Sequence, residues 1–294
     1  MITLTIHHTT VYRYNRPVRL GQHRLMLRPR ESREVRLLSS AVTTVPPSTL
    51  SWAHDVFGNA VATAVFSDMV SELSVESHVV VQLSAAAWPV FDIAASAISY
   101  PFRYGDDEWS DLGALATPQY EDPDGRLAAW TRAFVRSTPT NTLALLGDLN
   151  VGVAAAIRYQ SREEEGTQSP LQTLDRGWGS CRDLAVLFAE ATRRLGFGAR
   201  IISGYSYNAD RQGGTSTPES THAWAEVYVP GAGWITYDPT NRSVGGANLI
   251  PVAVARTIAQ AMPVTGSFHG MTDAFDGMWV GVSVTASRAA TNSG

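Results

Sequence analysis

The sequence predicts an α+β protein, in which an N-terminal β-sandwich precedes a core of helices packed on an antiparallel sheet. Short strand patterns separated by turn residues fill residues 2–83 without a helical period, which is typical of a β-sandwich. From residue 125 the apolar residues recur at helical spacing, and after residue 199 strand patterns return. At 294 residues the chain is long enough for about two domains.

Composition shifts divide the chain into three parts. We expect the β-sandwich domain at residues 1–84, a connecting segment at 85–124 and the mixed core at 125–294. The connecting segment carries several prolines and an acidic run, Asp106-Asp107-Glu108, which we expect to be a solvated face.

Six strand patterns and their turns support the β-sandwich. They cover residues 2–6, 12–14, 25–28, 35–45, 61–66 and 73–83. This part also holds His7, His8 and His23, whose spacing does not match a metal site. We expect surface or packing roles for all three histidines, and neither a metal nor another cofactor.

The core should begin with two helices. Residues 127–135 suit a short helix that Pro139 ends, and Leu143 to Ile157 suit a longer one that Thr140 caps. Arg158 to Thr173 should form a polar loop. Further on, residues 247–255 and 278–286 look like strands that return to the core sheet.

Charge and composition exclude several classes of function. The net charge is −4 and all 23 basic residues are arginine without a basic run, so nucleic-acid binding has no electrostatic support. No apolar stretch approaches the ~18 residues of a membrane span. The N-terminus lacks the charged and apolar regions of a signal peptide. A single cysteine excludes an internal disulfide and fits the reducing cytoplasm, where we expect the protein.

That cysteine, Cys181, stands at the predicted start of a helix. Ser180 can cap the helix, and Asp183 three residues later completes a box-like arrangement. The helix N-terminus favours a thiolate over a thiol, whose free pKa is near ~8.5. An inert cysteine in the core is the alternative. The position between glycines and off the apolar stripe favours a nucleophile; the stripe consists of Leu184, Leu187, Phe188, Ala191 and Leu195.

A histidine and a carboxylate flank one predicted hairpin downstream of the cysteine. His222 begins one strand and Asp238 ends the next. A plain hairpin that pairs Val229 with Trp234 would turn Asp238 away from the face of His222. A Cys-His-Asp set therefore requires a bulge or an odd-membered loop near Pro230–Gly233.

Motifs at these positions resemble the bacterial transglutaminase-like superfamily. They are Gly177-Trp178-Gly179-Ser180-Cys181-Arg182-Asp183, Ile202-Ser203-Gly204-Tyr205, the run from Thr221 to Trp234, and Asp238-Pro239-Thr240-Asn241. Three N-terminal motifs resemble the β domain that precedes this core in one bacterial branch: Tyr12-Arg13-Tyr14, Leu27-Arg28-Pro29-Arg30 and Asp55-Val56-Phe57-Gly58-Asn59. The resemblance implies a papain-like core, with the cysteine on a helix and the histidine and aspartate on adjacent strands.

By this resemblance, Cys181 is the nucleophile, His222 the base and then the acid, and Asp238 the orienting carboxylate. The backbone N–H of Cys181 should supply one oxyanion donor. The second donor is Trp178 or a side chain in the 158–173 loop. Trp178 and Trp224 either wall the acyl channel as substrate-binding residues or are plain core aromatics.

The expected function is thiol-dependent cleavage of peptide or isopeptide bonds through a thioester. Transfer to an amine and a non-catalytic peptide-binding module are the alternatives, and a carbohydrate-binding sandwich rests on analogy alone. The expected partner is a peptide or protein amide, with no nucleic acid or membrane, and the sequence leaves the oligomeric state open. We expect a structural role for Arg182 and Asp183. The loop from Ser206 to Ser220 could gate the substrate.

Overall fold

A computed structural model describes residues 1–161, 166–208 and 221–287 of the chain. Strands account for most of its regular structure. In chain order they are β1 (Ile2–Leu20), β2 (His23–Leu25), β3 (Val35–Val45), β4 (Thr49–His54), β5 (Ala60–Val65), β6 (Met69–Leu83), β7 (Ser99–Tyr100), β8 (Thr140–Asn141), β9 (Arg158–Tyr159), β10 (Trp178–Gly179), β11 (Ala199–Ser206), β12 (His222–Val229), β13 (Gly233–Asp238), β14 (Ser243–Val244), β15 (Leu249–Ala255), β16 (Val264–Thr265), β17 (Phe268–His269) and β18 (Phe275–Ser287).

The helices lie in the middle of the chain. They are α1 (Asp106–Leu112), α2 (Arg126–Arg132), α3 (Thr142–Ala156), α4 (Pro170–Arg176) and α5 (Cys181–Arg194), with short 3-10 turns at Ala95–Ala97, Gly113–Ala116 and Ile258–Ala261. No helix in the described ranges combines the length and apolar character needed to cross a membrane. The α+β class predicted from the sequence is confirmed.

Two antiparallel sheets form the N-terminal β-sandwich. One has the order β17-β1-β6-β3, with β18 also paired to β1, and the other has the order β16-β2-β5-β4. Alternate side chains of β1 and β6 meet those of β2 and β5 in a buried cluster that includes Val18, Leu25, Ala62 and Leu73. This cluster is the apolar interior expected of two stacked sheets.

The last strands differ from the expectation. Residues 278–286 were expected to return to the core sheet, but they belong to β18, which pairs with β1 from Thr3 to Tyr14. The expectation was wrong because β1 runs for 19 residues and has a second edge that requires a partner. By contrast, β15 joins the core sheet beside β11, as expected. The division into domains at residues 84 and 124 stays a prediction.

The core sheet packs against the helices and against the N-terminal sheet. Its order is β14-β13-β12-β11-β15, and all of its pairings are antiparallel. Helix α5 packs against Ala223, Ala225 and Val227 of β12, and α2 and α3 pack against α5. The N-terminal sheet also contacts the core sheet, where Leu4 and Ile6 join Tyr205, Ile250 and other buried side chains.

Helix boundaries in the connecting and loop segments also differ from the expectation. The acidic run forms the first turn of α1, where Glu108 accepts hydrogen bonds from Gly105 N–H and the Tyr228 hydroxyl, so it is more than a solvated face. Asn141, and not Thr140, caps α3 by accepting from Ala144 N–H at 2.9 Å. Thr140 is instead paired with Tyr100 in a two-residue ladder.

Helix α4 begins in the last residues of the segment expected to be a polar loop. Ser169 caps it, Pro170 occupies its first position, and Gln172 accepts from the backbone N–H of Ser169 in a capping box. These three residues form a helix-start signature that the sequence displays in full. The helix was not predicted, because residues 158–173 are mostly polar and lack an apolar helical pattern.

Two of the three N-terminal motifs, Leu27–Arg30 and Asp55–Asn59, join the β-sandwich to the core sheet. The side chain of Asn59 is fully buried and makes two hydrogen bonds with the backbone of Val254 on β15, of 2.7 and 2.9 Å. Arg30 donates to Asn59 Oδ1 at 2.7 Å, and its own N–H donates to Pro251 O at 2.9 Å. Both motifs therefore contribute to the junction between the sheets.

Candidate active site

Cys181 is the first residue of α5, directly after the cap residue Ser180. It is 8% exposed and lies against the apolar layer under the sheet. As the first helical residue, its backbone N–H has no acceptor within the helix. The predicted helix start, the cap and the apolar stripe of α5 are confirmed.

A buried carboxylate organises the turn before the cysteine. Asp183 accepts hydrogen bonds from the N–H and the hydroxyl of Ser180 at 2.8 and 2.9 Å, and from Gln168 N–H at 2.7 Å. A Cβ at Gly179 would lie 2.9 Å from the Cβ of Asp183, so glycine allows this close approach. Asp183 thus has the structural role expected from the sequence.

An odd-membered loop places Asp238 on the face of His222. Val229 pairs with Gly233, which leaves three residues, 230–232, in the hairpin loop. Continued pairing sets Ala225 opposite Tyr237 and brings Asp238 to the same face as His222. The predicted irregularity is confirmed, since the two side chains meet at 2.8 Å between His222 Nε2 and Asp238 Oδ2.

Asp238 is held by more than the histidine. Its Oδ2 also accepts from Asn241 Nδ2 at 2.7 Å, and its Oδ1 accepts from the backbone N–H groups of Thr240 and Asn241 at 3.0 and 3.3 Å. Burial opposes ionisation of Asp238, but the hydrogen bonds from His222 and Asn241 outweigh it and lower the pKa of the carboxyl. The positioning contact of Asn241 was not predicted, although an aspartate followed three residues later by asparagine is a signal for it.

Cys181 is the third member of the Cys-His-Asp set. Nε2 of His222 faces Asp238, which leaves Nδ1 as the nitrogen for the sulfur. Burial opposes the thiolate of Cys181, yet hydrogen bonding to His222 outweighs it, and the N–H of Ala223 adds to this, so the pKa of the thiol is lowered. Burial likewise opposes the imidazolium, but hydrogen bonds to Asp238 and Cys181 raise the pKa of His222 to about 10. Both shifts favour a thiolate–imidazolium pair, which combines a nucleophile with a proton donor.

The two tryptophans lie in different settings. Trp224 is 1% exposed and packs among Ile202, Leu249 and Val254, with its ring 5.8 Å from that of His222. This burial makes it a support for the histidine, and a role as channel wall stays a prediction. Trp178 is half-buried under the Arg176 guanidinium at 5.4 Å, and its oxyanion and substrate roles also stay predictions.

The three N-terminal histidines lie outside this set. His8 and His23 are buried, and His7 is exposed with its ring 4.2 Å from that of His78. Within the described residues, no group of three or more His, Cys, Asp or Glu side chains could hold a metal ion. Of the proposed gating loop, residues 209–220 lie outside the described residues.

Two protein-family models match this chain, one in the β-sandwich and one in the core. Residues 129–239, which include Cys181, His222 and Asp238, match the model of the transglutaminase-like superfamily. Residues 129–239 therefore form a transglutaminase-like core. Residues 4–82 match the bacterial transglutaminase-like N-terminal region, in agreement with the β-sandwich that precedes this transglutaminase-like core.

One relative matches over most of this chain, and a second matches over a short part of it. The uncharacterized protein ML0607 of Mycobacterium leprae is 26% identical over 280 residues, which are 92% of this chain and 94% of that protein. The uncharacterized protein YebA of Bacillus subtilis is 30% identical over 69 residues, only 9% of its length. Among solved structures, a "Putative Cysteine Protease" from Cytophaga hutchinsonii superposes with a TM-score of 0.74 at 18% identity, covering 98% of this chain and 92% of that one. At this identity the match shows a shared papain-like fold.

Proposed function

We propose that this protein is a thiol-dependent amide hydrolase that cleaves peptide or isopeptide bonds through a thioester. The observation that carries the proposal is the alignment of Cys181, His222 and Asp238, in which hydrogen bonding and charge favour the ionised pair despite burial. A fold that only bound peptides would have no need to maintain this pair.

The reaction follows from the positions of these groups. The Cys181 thiolate attacks the amide carbonyl, and a C–S bond forms as the carbonyl electron pair moves to oxygen. The pair returns while the C–N bond breaks, and the His222 imidazolium protonates the departing amine. Water, deprotonated by the now neutral His222, then attacks the thioester and releases the acid and the thiolate. Asp238 holds the imidazole in its orientation throughout.

The substrate is proposed to be a peptide or protein amide, and the cytoplasmic location expected from the sequence remains part of the proposal. A primary amine in place of water would turn the same thioester into a transamidation product. Burial of the sulfur does not decide between the two acceptors, since the outcome depends on access to the bound acyl group.

A substrate screen tests the proposal. Peptide, isopeptide and γ-glutamyl amides would be incubated with and without a primary amine, with Cys181→Ala as the blank. Release of amine or ammonia that needs Cys181 supports hydrolysis, whereas incorporation of the added amine identifies a transamidase. Equal signals from the wild type and Cys181→Ala in every assay would leave only a peptide-binding module.

A further inference from the structure

A cavity lies between the β4–β5 hairpin and the segment that follows β2. Its volume is about 530 Å³, within the range of about 300–1,000 Å³ that is usual for small-molecule sites. Residues 28–31 line one side of it, and residues of β4, of β5 and of the turn between them line the other. Cys181, His222 and Asp238 do not line this cavity, which is therefore distinct from the candidate active site.

The lining of the cavity carries a net positive charge. Arg28 and Arg30 contribute two guanidinium groups, and Glu31 contributes one carboxylate. With histidine counted as neutral, these three side chains leave a net charge of +1. Asp55, in the turn after β4, is paired with Arg24 at 3.0 Å, so that pair adds no net charge nearby. A single negative charge on a ligand would balance the lining.

Both guanidinium groups have N–H donors available to a ligand. The Arg28 side chain is exposed and makes no hydrogen bond or ion pair with any described residue. Arg30 is held in place by hydrogen bonds from Nη1 to Phe57 O and Asn59 Oδ1, at 2.9 and 2.7 Å. Its Nε and Nη2 have no partner in the described part of the chain, and neither atom is sealed from solvent. Burial, followed by the charge of Arg200, lowers the pKa of Arg30, so nearby carboxylates do not fully offset the cost of its charge.

An indole forms the apolar part of the lining. Trp52 is 49% exposed on β4, the edge strand of its sheet, although tryptophan is usually highly buried. Its ring offers a flat apolar surface in the same cavity as the two guanidinium groups. This combination suits a ligand that has one acidic and one apolar part.

We propose that this cavity binds an organic acid in which a single carboxylate is attached to an apolar group, as in a free acid or at the C-terminus of a peptide. The carboxylate accepts hydrogen bonds from Arg28 and Arg30, since a guanidinium fork matches carboxylate geometry, and the apolar group lies against Trp52. A phosphate group, with a charge of about −1.5 to −2, would leave excess negative charge beside Glu31. The inference does not depend on the proposed function, because none of these residues takes part in the reaction.

Two probes test the two sources of the carboxylate. Acetyl-phenylalanine represents a free acid and acetyl-Ala-Ala-Phe a peptide C-terminus, and titration calorimetry on full-length Cys181→Ala avoids turnover of either. We expect saturable binding of at least one acid, with affinity reduced roughly 10-fold or more for its C-terminal amide, which keeps the shape and lacks the charge. Tighter binding of the tripeptide would assign the site to peptide termini, and equal binding to free acids.

Arg28→Ala is the decisive variant, because this side chain has no contact that the fold needs. In it the affinity for the acid should fall roughly 10-fold while that for the amide stays unchanged. Trp52→Ala should weaken acid and amide alike. Arg33→Ala removes an exposed arginine of the same segment that does not line the cavity, and should change neither affinity.

Three results would overturn the inference. One is the absence of saturable binding by either acid. Another is equal affinity for acid and amide, or an affinity for the acid that Arg28→Ala leaves unchanged, because the carboxylate would then not be recognised by this cavity. The third is binding of inorganic phosphate, dependent on Arg28, in place of both acids, which would assign the cavity to a different anion.

Discussion

The ionisation state of Cys181 follows from its neighbours. Burial alone would raise the pKa of a thiol, but the hydrogen bond with His222 and the positive charge of that imidazole reverse the direction. For His222 burial alone would lower the pKa, but the hydrogen bond to the Asp238 carboxylate reverses this effect and the pKa is raised to about 10. These opposite shifts leave a wide pH range in which the ion pair is the populated form.

This range predicts the pH dependence of alkylation. The second-order rate constant of iodoacetamide with Cys181 should reach its plateau at a pH below the free-thiol pKa near ~8.5, because the pKa of Cys181 is lowered. Mass spectrometry of the Cys181 peptide measures the rate. In His222→Ala the rate at pH 6 should fall strongly and increase with pH. A wild-type rate that climbs tenfold per pH unit below pH 8 would contradict the ion pair.

Three site residues could be predicted from local motifs, but the residues that support them were not predicted. Cys181, His222 and Asp238 each lie in a short local motif. The alternation of side chains along β12 and β13 also predicted that His222 and Asp238 share a face only if the hairpin loop is irregular. Asn241 follows Asp238 by three residues, a spacing that signals its contact with the aspartate but that was overlooked. Gln168 carries no such pattern, because a side chain without a partner is recognised only from the surrounding structure.

At the scale of elements, the start of α5 depends on one buried acid. Asp183 accepts hydrogen bonds from the N–H and the hydroxyl of Ser180 and from Gln168 N–H, and so joins the cap of α5 to the segment before α4. The spacing of Ser180 and Asp183 in the sequence indicated the contact between these two residues. The contact with Gln168 could not be predicted, because α4 was not expected in its polar segment.

Asp183→Asn should therefore reduce stability. The amide must turn its NH₂ group toward one of the donors, which leaves a buried N–H or hydroxyl unpaired and costs about 1–3 kcal/mol of unfolding free energy. Urea denaturation monitored by tryptophan fluorescence measures the change. Asp175→Asn on α4 is the matched control, because Asp175 makes an exposed ion pair with Arg126 and such pairs contribute little. A loss in the control as large as in Asp183→Asn would contradict the assignment.

At the scale of the whole molecule, polar contacts join the N-terminal sheets to the core. Asn59 bonds to Val254, and His8 Nδ1 lies 2.9 Å from the Tyr205 hydroxyl while its Nε2 lies 3.0 Å from Thr10 Oγ1. These pairs are up to 197 residues apart in sequence. Local patterns predicted the strands that carry them, but pairings over such separations depend on packing that no single segment encodes.

Asn59→Ala should weaken this junction. Removing the side chain leaves the N–H and the carbonyl of Val254 buried without partners, which should cost about 2 kcal/mol of unfolding free energy. Asn15→Ala removes an exposed asparagine that bonds to Asp273 O, and should change the stability far less. Chemical denaturation of both variants makes the comparison, and equal losses would refute a special role for the buried contact.

The buried side chain of His8 should make the unfolding free energy depend on pH. Burial lowers its pKa to about 4, below the value near 6.5 in the unfolded chain. Between these values the unfolded state binds the proton more readily, so stability rises with pH across this window and is lost as pH falls from about 6.5 to 4. Unfolding free energies at several pH values should show a shallower slope in His8→Gln. His7→Gln, on the exposed side of the same strand, should keep the wild-type slope; identical slopes in all three proteins would contradict the role of His8.

The pairing of β18 with β1 imposes an order on biosynthesis. One edge of β1 has no partner until residues 275–287 have been translated, more than 250 residues later. Throughout that interval β1 presents an open edge that chaperones or neighbouring chains can engage. The β-sandwich therefore cannot be completed before the core between β6 and β18 has been synthesised.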